Sequence, residues 1–356
     1  MVQPLLHRLI NLLPRRLINS TKMIFNMRRC KTLLFFLLLN FSFTVKASEL
    51  TIDERFAAIE LVEAADPYAA FPLYQELVEQ DYTEAKVRLA ALLSAGLSDE
   101  GTKEENFHQS IKLLHEAAEE GSIKAYYGLY VMNHGAASLT PDSKVALSWL
   151  IKAAEAGEPR GQSQLASLYR NGIIVTKDVN KALYWYKEAI KNNSDSARYN
   201  LANLYLDGLE GVPKDTNAAV SLYLIAAKQG HDHSKVALGN IYIDDTYGLK
   251  NGKKAFYWLD AAVKNGNTYG RIGLASCYRL GIGTDINYEK ALYWYQQSIN
   301  HPISRFHLAE MYMLGLGAEI DLKKAREIFL QLSQEGYADG TAALAQVDKL
   351  IAEKAD

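Results

Sequence analysis

Few residues of this chain are spaced for chemistry, and the candidates fail one after another. His115-Glu116 opens the pattern in which a helix holds zinc between two histidines four residues apart, but the residue four beyond His115 is Glu119. His231-Asp232-His233 gathers three potential donors in a turn, yet no further ligand follows at metal spacing. Gly281-Ile282-Gly283 and Gly315-Leu316-Gly317 look like fragments of phosphate-cradling loops. Neither follows a strand, and neither runs on into the Lys-Ser/Thr pair that contacts phosphate and metal. Because they recur between helices, left-handed turns explain them. Asp244-Asp245 and Glu104-Glu105 read as solvated loop charges, and no Ser/His/Asp or Cys/His arrangement emerges from spacing. The expectation is a protein with no catalytic residue, no cofactor and no metal.

What the sequence offers instead is a repeated frame. Lys181 to Gly208 reads as two amphipathic helices joined by a polar turn. Ala182, Trp185 and Ala189 share one face of the first helix, and Ala197, Leu201, Ala202 and Tyr205 share one face of the second. Between them, Asn192-Asn193-Ser194-Asp195 has the composition of a helix stop followed by an N-cap. The Trp185 position returns as Leu73, Leu113, Trp149, Leu222, Trp258, Trp294 and Ile328. In step with it, the Leu201 position returns as Leu89, Leu129, Leu165, Leu238, Leu274, Leu308 and Leu344. Two ladders of one period describe stacked helical hairpins. On this reading the tryptophans fill the space between hairpins.

The order A-x-x-x-L-[AG]-x-x-Y-x-x-G, then a Gly-containing turn with Asp, then K-A-x-x-W-x-x-x-A, resembles the Sel-1-like repeat, a relative of the tetratricopeptide repeat. Ala197–Asp215, Gly161–Gly172 with Lys181–Ala189, and Gly270–Gly283 with Lys290–Ser298 carry the likeness best. It implies an all-α fold, a right-handed α-solenoid of about seven repeats over residues 82–340. Capping helices are expected at 48–81 and 341–356. Three places depart from the pattern. Leu97–Phe107 is an insertion rich in Asp, Glu and Lys and reads as an exposed loop; Asp244-Asp245-Thr246-Tyr247-Gly248 replaces a Gly-x-Gly turn; and the seventh copy lacks Trp and is short after Ile299.

Residues 1–47 differ from everything downstream. They carry eight Lys or Arg and no Asp or Glu. Met27-Arg28-Arg29-Cys30-Lys31, the apolar run Leu33–Leu39 and Val45-Lys46-Ala47 follow the order of a signal peptide, with cleavage before Ser48. Residues 1–26 read as an upstream segment ahead of a start at Met27. The expected location is therefore exported, with the periplasm first and a secreted or signal-anchored form as alternatives. The apolar run is short for a membrane span, so none is expected after cleavage. Loss of the leader leaves 31 Lys and Arg against 41 Asp and Glu, a formal charge of −10, which argues against nucleic acid as a partner. It also leaves Cys277 alone, so no internal disulfide is expected and the thiol reads as a small buried hydrophobe.

A repeat scaffold works through its surface. Helix-wheel angles place Tyr199, Asn203 and Leu206 opposite the packed face of their helix. The equivalent positions are Ser163, Ser167 and Arg170; Val236, Asn240 and Ile243; Ile272, Ser276 and Arg279; Phe306, Glu310 and Met313. The middle residue of each trio is polar, so the set is expected to line a concave face that binds a protein segment, with amides and hydroxyls on its main chain. The alternative is that Val236, Ile272 and Phe306 pack against the next repeat. Tyr184, Tyr186, Tyr293 and Tyr295 suggest a second kind of partner, the sugar rings of peptidoglycan or exopolysaccharide. The function expected is a non-enzymatic scaffold in an envelope or secretion complex, with a cell-wall-binding module as the alternative and a hydrolase third.

Overall fold

The computed structural model describes residues 50–98, 101–134, 142–209 and 211–355. The leader, 1–47, lies outside them. Among the described residues there are seventeen α-helices, one 3₁₀ turn and no strand. They are α1 Ile52–Glu63, α2 Pro67–Glu79, α3 Thr83–Ser94, α4 Lys103–Glu119, α5 Ile123–Asn133, α6 Ser143–Glu155, α7 Pro159–Asn171, α8 Val179–Lys191 and α9 Asp195–Asp207. There follow α10 Thr216–Lys228, α11 Asp232–Ile243, α12 Gly252–Val263, α13 Thr268–Leu280, α14 Tyr288–Gln296, α15 Pro302–Leu314, α16 Leu322–Gln334 and α17 Ala338–Ala355.

The chain forms two compact units, one running to residue 168 and including 172–176, the other taking 169–171 and everything from 177 onward. In the first, α1 to α6 pack each on the next, and α3 also touches α5. In the second, α8 to α17 do the same, with α11 reaching α13 and α15 reaching α17. Contacts to the next helix and the next but one are the signature of stacked hairpins rather than of a single shared core. The apolar interior is accordingly strung out. Tyr74, Leu89, Leu114 and Leu129 anchor it in the first unit, and Tyr223 and Leu238, Leu259 and Leu274, then Tyr295, Leu308 and Phe329 anchor successive clusters in the second.

Local chemistry explains where helices start and stop. Asn193 takes a positive φ of 61°, and the Ser194 hydroxyl accepts from the Ala197 N–H at 3.2 Å, so the Asn-Asn-Ser turn ends α8 and caps α9. The Tyr of each L-[AG]-x-x-Y motif ties the two helices of a repeat together. Its carbonyl accepts from the N-cap residue of the following helix, as in Asp178 N–H to Tyr169 at 2.9 Å and Asn287 N–H to Tyr278 at 2.9 Å. Where a K-A motif follows, the ring lies under its Lys, with Lys181, Lys254 and Lys290 within 5.1–5.2 Å of Tyr169, Tyr242 and Tyr278. The second glycine of the Gly281-Ile282-Gly283 turn is there for clearance as well as for its φ of 72°. A Cβ at Gly283 would sit 2.0 Å from the Gly252 carbonyl oxygen.

Two expectations are corrected. The buried ladder is not the tryptophan series but the residue after it: Tyr74, Leu114, Leu150, Tyr186, Tyr223, Leu259, Tyr295 and Phe329, none more than 3% exposed. Trp149, Trp185, Trp258 and Trp294 are only half-buried. The sequence pattern left this open, because two alanines seven apart, such as Ala182 and Ala189, bracket both i+3 and i+4. The second correction concerns Leu97–Phe107. From Lys103 this stretch is helix rather than loop, and Asn106 and Phe107 are buried in α4. Thr102 and Glu105 form a reciprocal capping box, with the Thr102 N–H on Glu105 Oε2 at 2.7 Å and the Glu105 N–H on Thr102 Oγ1 at 3.2 Å.

Candidate functional site

The fifteen residues expected on one face fall on α7, α9, α11, α13 and α15, and the structure divides them by what each side chain touches. In the first unit Ser163 is buried, and Ser167 donates its hydroxyl to the Ser163 carbonyl at 3.0 Å. In the second unit Tyr199, Asn203 and Leu206 of α9 meet Val236 and Asn240 of α11 along one groove of about 520 Å³. Tyr223, His233, Ala237, Ile241, Asp244, Tyr247 and Tyr269 complete its lining. The remaining residues of the set lie elsewhere. Ile272 and Met313 are buried, and Phe306 packs its ring 5.6 Å from Phe329 and 5.9 Å from Tyr337. Arg170 pairs with Asp207 at 3.0 Å, and Leu206 and Ile243 also lean on the apolar cluster around Tyr223.

The polar row has a structural reason that the sequence alone did not show. The Tyr223 hydroxyl donates to Asn203 Oδ1 at 2.5 Å, and the Tyr295 hydroxyl lies 3.0 Å from Ser276 Oγ. In these two repeats the polar residue on the first helix thus meets the phenol of a ladder tyrosine on the second. Burial pushes both phenols above their usual range, Tyr223 with help from the neighbouring Tyr199 and Asp207. Where the ladder residue has no hydroxyl the row behaves differently. Opposite Leu259, Asn240 is exposed; in the repeat of Phe329, Glu310 turns to His307 Nδ1 at 2.7 Å and to Arg279 at 3.8 Å.

The histidines of the α11 turn are placed by the helix end. His231 is the N-cap, its Nδ1 accepting from the Ser234 N–H at 3.3 Å, and burial with the nearby His233 holds its pKa below the usual histidine value. Tyr199 lies between them and Tyr223, with ring centroids 5.3 Å from His231, 6.0 Å from His233 and 5.7 Å from Tyr223. Among the described residues no group of three or more His, Cys, Asp or Glu is placed to hold a metal ion. Cys277 is fully buried, and that burial pushes its thiol up to about 11.

The tyrosines singled out for sugar stacking also divide. Tyr186 and Tyr295 belong to the buried ladder and cannot present a ring face. Tyr184, Tyr257 and Tyr293 are more than half exposed, each edge-on to the tryptophan beside it at 4.9–5.0 Å. Asp244, Tyr247 and Tyr269 were absent from the expected set. The first two come from the turn that replaces Gly-x-Gly, the one visible signal for them. Elsewhere Gly172, Gly281 and Gly315 end α7, α13 and α15 in a left-handed conformation, whereas α11 ends on Asp244 in extended backbone and a 3₁₀ turn follows.

No helix among the described residues is long and apolar enough to cross a membrane. No curated protein matches the chain. Solved structures do. It is similar to c5321, a protective antigen of uropathogenic Escherichia coli strains displaying an SLR fold, with a TM-score of 0.65 and 24% identity. That match covers 86% of this chain and 66% of the other, so the chain spans just under two thirds of that protein's length. A Sel1 repeat protein from Oxalobacter formigenes matches with a TM-score of 0.59 and 24% identity over 70% of this chain and 99% of the other. The family model described as "Sel1 repeat" matches seven times, at residues 83–122, 125–158, 159–194, 195–231, 233–267, 269–301 and 302–337. With paired helices in each of those segments, the chain belongs to the Sel1 repeat family, whose members generally are non-enzymatic scaffolds for protein–protein interaction.

Proposed function

We propose that this protein is an exported, non-enzymatic scaffold that docks a protein partner in the groove between α9 and α11, as part of an envelope or secretion complex. The observation that carries the docking site is convergence. Tyr199, Asn203, Leu206, Val236 and Asn240, drawn from two repeats, line one groove, and the Asn240 amide is exposed within it. An extended segment could take main-chain hydrogen bonds from that amide while its side chains rest between tyrosine rings. Export rests on the basic, acid-free stretch 1–47 and its apolar run.

The test is Asn240→Arg, which fills the groove from an exposed position. It should abolish capture of the partner isolated from the native host and leave the melting curve unchanged. N-terminal sequencing of the protein recovered from that host should begin at Ser48; recovery with residues 1–47 attached would remove the cleaved form.

A second reading has its own observation. Tyr184, Tyr257 and Tyr293 recur at equivalent positions with exposed rings braced by a tryptophan, a surface suited to stacking on sugars. Retention on purified cell-wall polymer that disappears in the triple Tyr→Ala variant would favour it.

A further inference from the structure

The groove that the previous reading uses as a docking site has a charge pattern that selects its occupant. Of the residues lining it, Asp244 is the only Asp or Glu, and none is Lys or Arg. Thr246 fixes that carboxylate, donating its backbone N–H at 2.8 Å and its hydroxyl at 2.6 Å to Oδ1, and these bonds hold the acid below the usual carboxylate range. Both bonds go to one oxygen, which leaves Oδ2 for a further partner. The rings of Tyr199, Tyr247 and Tyr269 line the same groove, the last half-exposed. Tyrosine faces attract cations, and one of these rings already does so: Lys214 Nζ lies 5.3 Å from the Tyr247 centroid. Two nearby pairs are matched, Asp245 with Lys250 at 3.7 Å and Asp207 with Arg170 at 3.0 Å, and Lys250 adds a smaller favourable field at Asp244.

The position of this acid in the chain adds a second argument. Asp244 and Tyr247 belong to the segment that stands where the two following repeats carry Gly281-Ile282-Gly283 and Gly315-Leu316-Gly317. That turn therefore supplies the groove with a carboxylate and one of its rings, where those two repeats present two glycines.

Building on the docking reading, we infer that the groove recognises a lysine or arginine side chain of the partner segment, held between tyrosine rings and paired with Asp244. Rings and one carboxylate, with no Lys or Arg in the lining, complement a cation and repel an acidic segment.

The experiment is selection of phage-displayed random peptides against the full chain, with parallel binding to Asp244→Asn and Asn240→Arg. Asn keeps the Oδ1 acceptor that Thr246 uses, so the turn should stay folded, as circular dichroism would verify. Enriched peptides should share a Lys or Arg, lose about fivefold in affinity on Asp244→Asn, and lose a similar factor when that residue is made acetyl-lysine or citrulline. Peptides without a shared base that bind wild type and Asp244→Asn equally, but not Asn240→Arg, would overturn the cation inference and leave the docking reading standing. Absence of any peptide that prefers wild type over Asn240→Arg would overturn both.

Discussion

The Tyr223 hydroxyl donates to Asn203 Oδ1 at 2.5 Å, joining the fully buried ladder residue of α10 to the polar row of α9. That bond makes Asn203 part of the scaffold as well as of the groove, and it separates Asn203 from Asn240, which is exposed opposite Leu259. Asn203→Ala should therefore destabilise the protein by about 1 kcal/mol, because it strips the partner from a phenol held mostly out of water. Asn240→Ala should cost less than about 0.5 kcal/mol. Urea midpoints of the two variants, compared with wild type, check this; equal values would remove the distinction.

The shift of the buried ladder by one residue predicts a reversal of the mutational costs that the tryptophan pattern suggests. Tyr295→Ala should cost about 3–5 kcal/mol as a cavity in a fully buried site. Trp294→Ala, at a half-buried position, should cost less despite the larger side chain. Chemical denaturation of both variants measures the order, and a greater loss at Trp294 would contradict the packing described above.

Close helix approach predicts a third result. A Cβ at Gly239 would lie 2.5 Å from Leu259 Cγ, and one at Gly273 would lie 2.6 Å from Leu259 Cδ2. Gly239→Ala should lower stability by about 1–3 kcal/mol through overpacking, although alanine is the better helix former. Gly239→Ala combined with Leu259→Ala should recover part of that loss, and additivity of the two would refute the contact.

The first unit carries a pH-dependent element. Lys86 is buried between Asp81 and Glu120, and Glu120 Oε2 also accepts from the Thr83 hydroxyl at 2.6 Å. Hydrogen bonds from Lys86 and Thr83 hold the Glu120 carboxyl below the ordinary glutamate value. A depressed folded-state pKa means that the unfolded chain takes up the proton first. The contribution is thus complete above the ordinary value of about 4.3 and is lost as pH falls through the lower folded one. Glu120→Gln should flatten the acid side of the stability profile across that window and leave the slope near neutrality unchanged.

Much of this architecture was legible in the sequence because it rests on spacing. The Leu201 ladder, the Asn-Asn-Ser turn and the paired helices each follow from residues close together in the chain. The choice between Trp185 and Tyr186 was not legible, since both satisfy the helical period and only the neighbouring helix decides between them. The capping box at Thr102 and Glu105 was readable in principle but was masked by the charge of the surrounding insertion. The lining of the candidate groove was legible in part. Helix-wheel angles gave Tyr199, Asn203, Leu206, Val236 and Asn240, whereas Asp244, Tyr247 and Tyr269 reach the groove through a turn and through the next repeat but one. The same angles could not reveal that Asn203 and Ser276 meet buried phenols, because those partners lie on other helices, about twenty residues away in sequence.

The central claim, that the α9–α11 groove holds a protein segment, is tested most directly by a photo-crosslinking residue placed at Asn240 in the native host, with exposed Ile320 as the control position. The account predicts a discrete protein adduct from position 240 and none of that size from position 320. No adduct from position 240, or the same pattern from both positions, would contradict it.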